Sequence, residues 1–171
     1  MHRSFSVVVG CLGLAGCEMQ TPIEITAEPA KVAYVKSAPM DRIRSEGTST
    51  TIRSYVMKTG EDGKETSIEV AGAKCKLVSD HLRAEVVTPQ AVVLPKYDQD
   101  PKIKDRGVPP SIHVTCTGDG KKGTALITAD PGEIISGSGN LIVDLILIAG
   151  SAAVANAADW KYRPAAGVIL K

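Results

Sequence analysis

The strongest constraint on the fold is a recurring pattern of short segments in which apolar and polar residues alternate. Successive side chains of a β-strand point to opposite faces, so alternation predicts strands with one buried and one exposed face. Nine segments show this alternation or are rich in Val, Ile, Thr and Tyr, and Gly, Pro, Asn and Asp separate them. These segments are 32–36, 48–58, 66–71, 74–77, 83–88, 91–94, 112–117, 123–128 and 167–170. Many short strands between turn residues are typical of an antiparallel sandwich or barrel, so we predict a mainly β fold, an antiparallel β-sandwich.

Size and charge narrow the classes of function. The chain has 171 residues, enough for one ordinary domain, and its 43% hydrophobic content suffices for a packed core. Lys and Arg number 20 against 19 Asp and Glu, so no net field would attract nucleic acid or an anionic membrane. Aromatic residues make up only 4%, which disfavours nucleic-acid or sugar binding on stacked rings. We expect no nucleic-acid partner.

The N-terminus has the features of an export signal. A short basic start, His2 and Arg3, precedes an apolar stretch at 5–15 that is too short to cross a bilayer as a helix. The stretch ends in LAGC at 14–17, which resembles a bacterial lipobox, and a Cys thiolate is the nucleophile that acquires the lipid. We predict cleavage before Cys17 and lipidation of its thiol. An ordinary secretory signal or a buried strand is the alternative.

These features divide the chain into three parts. Residues 1–16 are predicted to be a lipoprotein signal peptide, and 17–31 a lipidated N-terminus with a flexible tether, since this stretch has no helical period. Residues 32–171 are predicted to form a single β-sandwich-like domain. Glu18, a residue other than Asp after the lipidated position, resembles the signal for export to the outer membrane. The expected location is the cell envelope, at the outer membrane and facing the periplasm.

The cysteines that remain after processing predict a disulfide. Cys75 and Cys116 are an even pair in an oxidising compartment, and they close a loop of about 42 residues. A zinc site that also uses His81 and His113 is the alternative. The alternation of 111–117 places His113 and Cys116 on opposite faces of one strand, so both cannot bind one ion. We predict the disulfide, no metal, and two surface histidines.

The segment 140–158 interrupts the alternation. Apolar residues flank Asp144, and small residues dominate 150–158. We predict a small apolar helical or hairpin segment packed on the sheet near the C-terminus. A patch that contacts membrane or a partner is the alternative, and a transmembrane helix is disfavoured because a charge inside it costs about 2.5–3.5 kcal/mol. The side chains of a possible interaction surface are Leu141, Leu145, Ile148, Trp160 and Tyr162.

Two glycine-rich motifs and one polar stretch are predicted to lie in turns and loops. GSG at 137–139 has the wrong spacing for a nucleophile elbow, and GDGKKG at 118–123 lacks the full phosphate-loop spacing, so both are interpreted as turns. The polar, proline-containing stretch 96–110 is predicted to be a mobile loop. No set of nucleophile, base and oxyanion donor is recognisable, so we expect neither catalysis nor a cofactor.

Part of the chain resembles a known family. The strings GAKCKL at 72–77, VTP at 87–89, AVVLP at 91–95 and IHVTC at 112–116 resemble the repeat unit of PEGA-type domains in bacterial envelope proteins. The chain is also similar to small lipoproteins that add a cysteine pair and a Gly- and Ala-rich C-terminal segment. The likeness extends over about 72–170 and implies an envelope-attached β module without established catalysis.

Two functions are compatible with these predictions. The first is a non-catalytic, lipid-anchored envelope lipoprotein that binds another envelope protein or peptidoglycan. The alternative is a periplasmic carrier or chaperone for a hydrophobic ligand, with 141–148 lining its cavity.

Overall fold

The computed structural model of the chain describes residues 21–130 and 159–171. Several of the sequence predictions concern residues outside these ranges. They are the signal peptide, the lipidated Cys17, the turn at 137–139, the apolar segment at 140–158, and the side chains of Leu141, Leu145 and Ile148.

Alternating segments become strands throughout the described ranges. Each of the nine predicted segments contains or overlaps a strand, and two 3-10 turns lie at Met40–Arg42 and Lys104–Gly107. The strands are β1 (Ala30–Lys31), β2 (Ala33–Tyr34), β3 (Ile43–Thr59), β4 (Glu65–Val70), β5 (Lys74–Val78), β6 (Leu82–Val87), β7 (Gln90–Tyr97), β8 (Ile112–Gly118), β9 (Lys121–Ile127), β10 (Ala129–Asp130), β11 (Lys161–Tyr162) and β12 (Ala165–Leu170).

The strands form two main sheets, which confirms the predicted mainly β, sandwich-like fold. The first sheet has the order β1-β7-β3-β12, and β4 pairs with the same edge of the long β3 as β7 does. The second sheet has the order β2-β6-β5-β8-β9 and is antiparallel throughout. A short ladder of β10 and β11 joins the two described ranges.

The first sheet departs from the predicted antiparallel pattern at two edges. β1 pairs in parallel with β7, and β12 pairs in parallel with β3. Hairpin connections impose antiparallel pairing on neighbouring strands. Neither edge strand is joined to its partner by a hairpin, so the sequence order did not restrict its direction.

Alternation within the strands places one row of side chains between the sheets. Strands β5, β6 and β8 alternate buried and exposed residues along most of their length. The fully buried members of this core include Ile52, Leu77, Leu82, Val92, Leu94, Tyr97, Ile112, Val114 and Val168. The predicted pairing of Cys75 with Cys116 is confirmed at disulfide distance, with an S–S separation of 2.01 Å between directly opposed residues of β5 and β8. Closing a loop of this length stabilises the fold by about 4 kcal/mol.

A hairpin and a glycine close one side of the sandwich. The turn between β8 and β9 places Asp119 and Gly120 at positive φ, which confirms the turn predicted at 118–123. Strand β9 then meets β12 of the other sheet, where Lys122 and Lys171 exchange two backbone hydrogen bonds of 3.1 Å. Gly123 faces this seam, and its lack of a side chain lets the β9 backbone approach the Ile169 carbonyl.

The N-terminal segment closes the other side, so the predicted flexible tether is wrong in its last part. Ala30 and Lys31 pair with the first sheet, whereas Ala33 and Tyr34 pair with the second. The chain therefore changes sheets at Val32, which packs against the core. Tertiary pairing with two sheet edges fixes a stretch that has no periodicity of its own.

The same segment is fixed further upstream by a charged pair. The Ile23 amide donates to a Glu69 carboxylate oxygen at 3.1 Å, and the Arg53 guanidinium donates to the Ile23 carbonyl at 3.0 Å. Arg53 and Glu69 also form an ion pair with each other, in which the Glu69 side chain is only 7% exposed. The chain is thus held to the first sheet at Ile23 as well as at Ala30 and Lys31.

The polar stretch predicted to be a mobile loop is also held in place. Arg42 donates to the carbonyls of Asp98 and Gly107, at the two ends of the loop. The Trp160 indole N–H donates to the Arg106 carbonyl of the loop at 3.2 Å. The Tyr162 hydroxyl donates to the Pro110 carbonyl at 2.8 Å. Three donors from two distant parts of the chain, Arg42 and the pair Trp160 and Tyr162, therefore order this loop.

Replacing Gly123 by Ala should destabilise the fold at the seam between β9 and β12. A Cβ there would collide with the Ile169 carbonyl oxygen and lie 2.9 Å from Val168 Cγ1, so the backbones must separate. We expect a loss of about 1–3 kcal/mol in the free energy of unfolding, measured by urea denaturation. Thr124→Ala, on the exposed side of the same strand, is the control and should change stability by about 0.5 kcal/mol or less. Equal stability of the two variants would show that this seam is not tightly packed.

Replacing Glu69 by Ala should release the N-terminal segment without unfolding the sandwich. The variant removes the acceptor of the Ile23 amide and the partner of Arg53. A hydrogen bond to a charged group contributes about 1.5–3 kcal/mol, so amide exchange at Ile23 should accelerate at least about tenfold. Glu65→Ala, at an exposed position of the same strand, is the control. Unchanged protection of Ile23 in the Glu69 variant would contradict this attachment.

Candidate interaction surface

The outward side of the second sheet is a continuous exposed surface, which we call the open face. Its twelve side chains alternate with the core residues of β5, β6, β8 and β9, and only Thr115 among them is half-buried. They are Lys74, Lys76, Val78, Arg83, Glu85, Val87, His113, Thr115, Thr117, Lys122, Thr124 and Leu126.

The strand register arranges these side chains in three rows across the sheet. The first row is Val87, Lys74, Thr117 and Lys122; the second is Glu85, Lys76, Thr115 and Thr124; the third is Arg83, Val78, His113 and Leu126. A shallow groove of about 620 Å³ lies over the first two rows, lined by Lys74, Lys76 and Lys122 among others. The register thus brings residues that are far apart in the sequence together on one surface.

Positive charge is concentrated on the open face. Four cationic side chains, Lys74, Lys76, Arg83 and Lys122, stand against the single carboxylate of Glu85, whereas the whole chain has a net charge of only +1. The Lys76 ammonium lies 3.8 Å from the Glu85 carboxylate, with both side chains at least 75% exposed. Such a pair contributes little, so Lys76 stays available to a ligand.

The open face also presents apolar side chains, but no aromatic ring. Val78, Val87 and Leu126 are 40%, 50% and 49% exposed. None of the twelve side chains is Phe, Tyr or Trp. The surface therefore offers charge, hydroxyl groups and small apolar contacts, and it lacks the stacking platform on which sugars and bases bind.

The opposite side of the sandwich has a different character, and we call it the covered face. Ile52 and Ser54 point into the core, so the intervening Arg53 points outward from the first sheet, as does Glu69. Their contacts with Ile23 place the N-terminal segment on this side. The described part of the N-terminal segment therefore contacts the covered face at Ile23 and not the open face.

A second cluster of polar side chains lies inside one end of the sandwich. His81 Nδ1 is 3.3 Å from the Tyr97 hydroxyl, and the Tyr97 and Tyr162 rings meet edge to face with centroids 6.3 Å apart. Burial raises the pKa of Tyr97 to about 12 and also raises the pKa of Tyr162. Desolvation lowers the pKa of His81; the nearby charge of Asp80 opposes this shift and that of Arg42 adds to it, with a net lowering. The cluster is neutral near pH 7 and fixes the end of the sandwich to the loop that Arg42 holds.

The aromatic members of the predicted interaction surface lie elsewhere than expected. Tyr162 is only 2% exposed, so its assignment to the surface is wrong. Its ring packs on Tyr97, and its hydroxyl donates a hydrogen bond to the Pro110 carbonyl. These two contacts bury Tyr162 although its neighbours in the sequence are charged. Trp160 is half-buried and exchanges backbone hydrogen bonds with Tyr97.

The two histidines are not brought together with the cysteines. Cys75 and Cys116 face the core, His113 lies on the open face, and His81 is half-buried against Tyr97. The prediction that His81 is a surface residue is therefore wrong in part, because its ring packs on a buried tyrosine. Within 21–130 and 159–171, no three His, Cys, Asp or Glu side chains are grouped as metal ligands. The same ranges contain no helix long and apolar enough to cross a bilayer.

Sequence reasoning identified only part of the open face. The alternation of β5 shows that Lys74 and Lys76 point outward, but nothing local places Lys122 or Arg83 on the same surface. The missing signal is the register, which pairs Thr117 with both Lys74 and Lys122. The tight turn at 118–123 could have predicted the register of β8 against β9, since a two-residue hairpin fixes it.

Replacing His81 by Asn should reduce the pH dependence of stability. The folded pKa of His81 is lowered, so the unfolded chain binds a proton more readily. Its stabilising contribution is complete above the ordinary pKa of about 6.5 and is lost as the pH falls toward the folded value. Urea unfolding between about pH 7.5 and 5 should show this loss in the native chain and less of it in the variant.

His113→Gln is the matched control for this measurement. His113 is exposed on the open face and makes no contact with the Tyr97 cluster, so its replacement should leave the pH profile unchanged. Identical profiles for His81→Asn and the native chain would contradict the role of His81.

Comparison with known proteins does not assign the chain to a family. It matches no family model, no curated protein and no solved structure. The likeness of 72–170 to PEGA-type domains therefore stays a prediction.

Proposed function

We propose that the protein is a non-catalytic, lipid-anchored interaction module of the bacterial cell envelope. Lipid on Cys17 would attach it to the outer membrane, and the open face would bind another envelope component. The observation that carries the proposal is the inequality of the two sheet faces. The N-terminal segment contacts the covered face, and the twelve exposed side chains of the open face lie on the opposite side.

The point of attachment sets an orientation. Ile23 is held by Arg53 and Glu69, and only five residues lie between it and Cys17. An extended chain reaches at most about 3.3–3.6 Å per residue, so Cys17 and Ile23 can lie at most about 20 Å apart. With lipid on Cys17, the covered face would lie within reach of the membrane and the open face would point toward the periplasm.

Three buried polar groups, Ser54, Thr88 and Asp130, have structural partners, whereas the buried Thr48 hydroxyl has no hydrogen-bond partner in the described part of the chain. The Ser54 hydroxyl bonds to the Val70 carbonyl and lies 2.6 Å from the Thr88 hydroxyl. The Asp130 carboxylate pairs with Arg163 at 3.2 Å. Groups used in this way are not poised as nucleophile or base, which supports a binding role rather than catalysis.

A carrier for a hydrophobic ligand is the weaker proposal. Such a carrier needs an apolar cavity between its sheets. In the part of the chain that the structure describes, the space between the sheets is filled by packed side chains such as Ile52, Leu77 and Val114. The groove lies outside the sandwich, over exposed lysines, and favours a docked partner over an enclosed ligand.

The anchor is tested by labelling and mass analysis in a bacterium that processes lipoproteins. Cells grown with an alkyne analogue of palmitate should label the native protein, which should fractionate with membranes and begin at Cys17. Cys17→Ser should lose the label and the membrane association, because the acylated thiol is gone. Cys11→Ser, inside the predicted signal peptide, is the control and should keep both. An unlabelled protein that retains its initiating methionine would overturn the proposal.

A further inference from the structure

We infer that the open face binds an extended acidic segment of a partner protein, in which two carboxylates and one apolar side chain occupy alternate positions. The inference rests on the proposed function and adds the chemistry of the partner. Three features of the open face support it: its charge, its spacing and its lack of aromatic rings.

Charge selects an anionic ligand. Lys74, Lys76 and Lys122 line the groove, and Arg83 lies in the third row. Glu85 is the only carboxylate on the face. Because charges are screened over about 8 Å at physiological ionic strength, a ligand senses this local excess and not the near-neutral chain. Carboxylates of a bound segment would complement it.

Spacing selects an extended peptide. Lys74, Lys76 and Val78 project from the same side of β5 at two-residue intervals, about 6.6–6.8 Å apart. Alternate side chains of an extended peptide have the same period. A segment laid along β5 therefore places two acidic side chains over Lys74 and Lys76 and an apolar side chain over Val78. Lys122 lies two strands away from Lys74, about 10 Å, and would contact a carboxylate at the rim.

Other anionic partners fit the open face less well. A polysaccharide would find no aromatic ring among the twelve side chains. The membrane would lie toward the covered face, where Ile23 is attached. A second copy that docked its open face symmetrically would oppose like charges. The acidic peptide is the occupant that agrees with all three features.

The test measures peptide binding to the full-length lipidated protein in neutral detergent. The probe is the fluorescein-labelled peptide TETETVT, with blocked termini, and the readout is fluorescence anisotropy at low ionic strength. We expect saturable binding that weakens at least about fivefold when Glu is replaced by Gln (TQTQTVT). We expect a similar loss for TEETTVT, which keeps the charge and breaks the two-residue spacing.

The protein side is tested with matched double variants. Lys74→Gln with Lys76→Gln should weaken binding of TETETVT at least about fivefold. Lys102→Gln with Lys104→Gln removes two exposed lysines with the same spacing elsewhere and should change binding less than about twofold. Melting temperatures of both variants should match the native value, since all four side chains are exposed.

Three results would overturn the inference. They are no binding of TETETVT, equal binding of TEETTVT, and equal loss in the two double variants. Stronger binding to peptidoglycan fragments, to vesicles of anionic phospholipid, or to a second copy detected by sedimentation would assign the face to that partner instead. Palmitate labelling at Cys17 is independent of all these outcomes, so failure here is distinguishable from failure of the proposed anchor.

Discussion

The structure depends on closing a two-sheet sandwich along both of its long sides. Open sheet edges expose unpaired backbone groups and invite association with other chains. On one side, the chain crosses from the first sheet to the second at Val32. On the other side, Gly123 lets β9 approach Ile169 closely enough for Lys122 and Lys171 to exchange backbone hydrogen bonds. One closure depends on residues 30–34 and the other on β12, so the core is complete only when both of these segments are in place.

Closure by the N-terminal segment has a consequence for function. A segment that seals one side and then contacts Arg53 and Glu69 cannot also act as a long, free tether. The same contacts that stabilise the fold would therefore determine which sheet face lies near the proposed anchor at Cys17. The docking of residues before β2 on the first sheet is thus a cause of structural closure and, in the proposed function, of orientation on a membrane as well.

The sequence predicted what is local and missed what is long-range. Alternation identified the strands and the inward cysteine pair, because the two-residue period of a strand is a local property. The docking of Ile23 depends on a charged pair 30 and 46 residues away, and the ordering of the 98–110 loop depends on Arg42 donating to backbone carbonyls. Carbonyls carry no sequence signal. Tyr162 was misplaced for the same reason, since its burial depends on Tyr97, which lies far away in the chain.

The open face shows why a near-neutral composition does not exclude recognition by charge. The net charge of +1 averages over a surface much wider than the screening length. Registers fixed by the hairpin between β8 and β9 and by the disulfide between β5 and β8 place the lysines of two strands, β5 and β9, on one side. A slip of one residue in β5 would turn Lys74 and Lys76 inward and Cys75 outward. The covalent link that stabilises the core therefore also holds the cationic rows in a fixed order, which is the preorganisation that a weak, extended ligand requires.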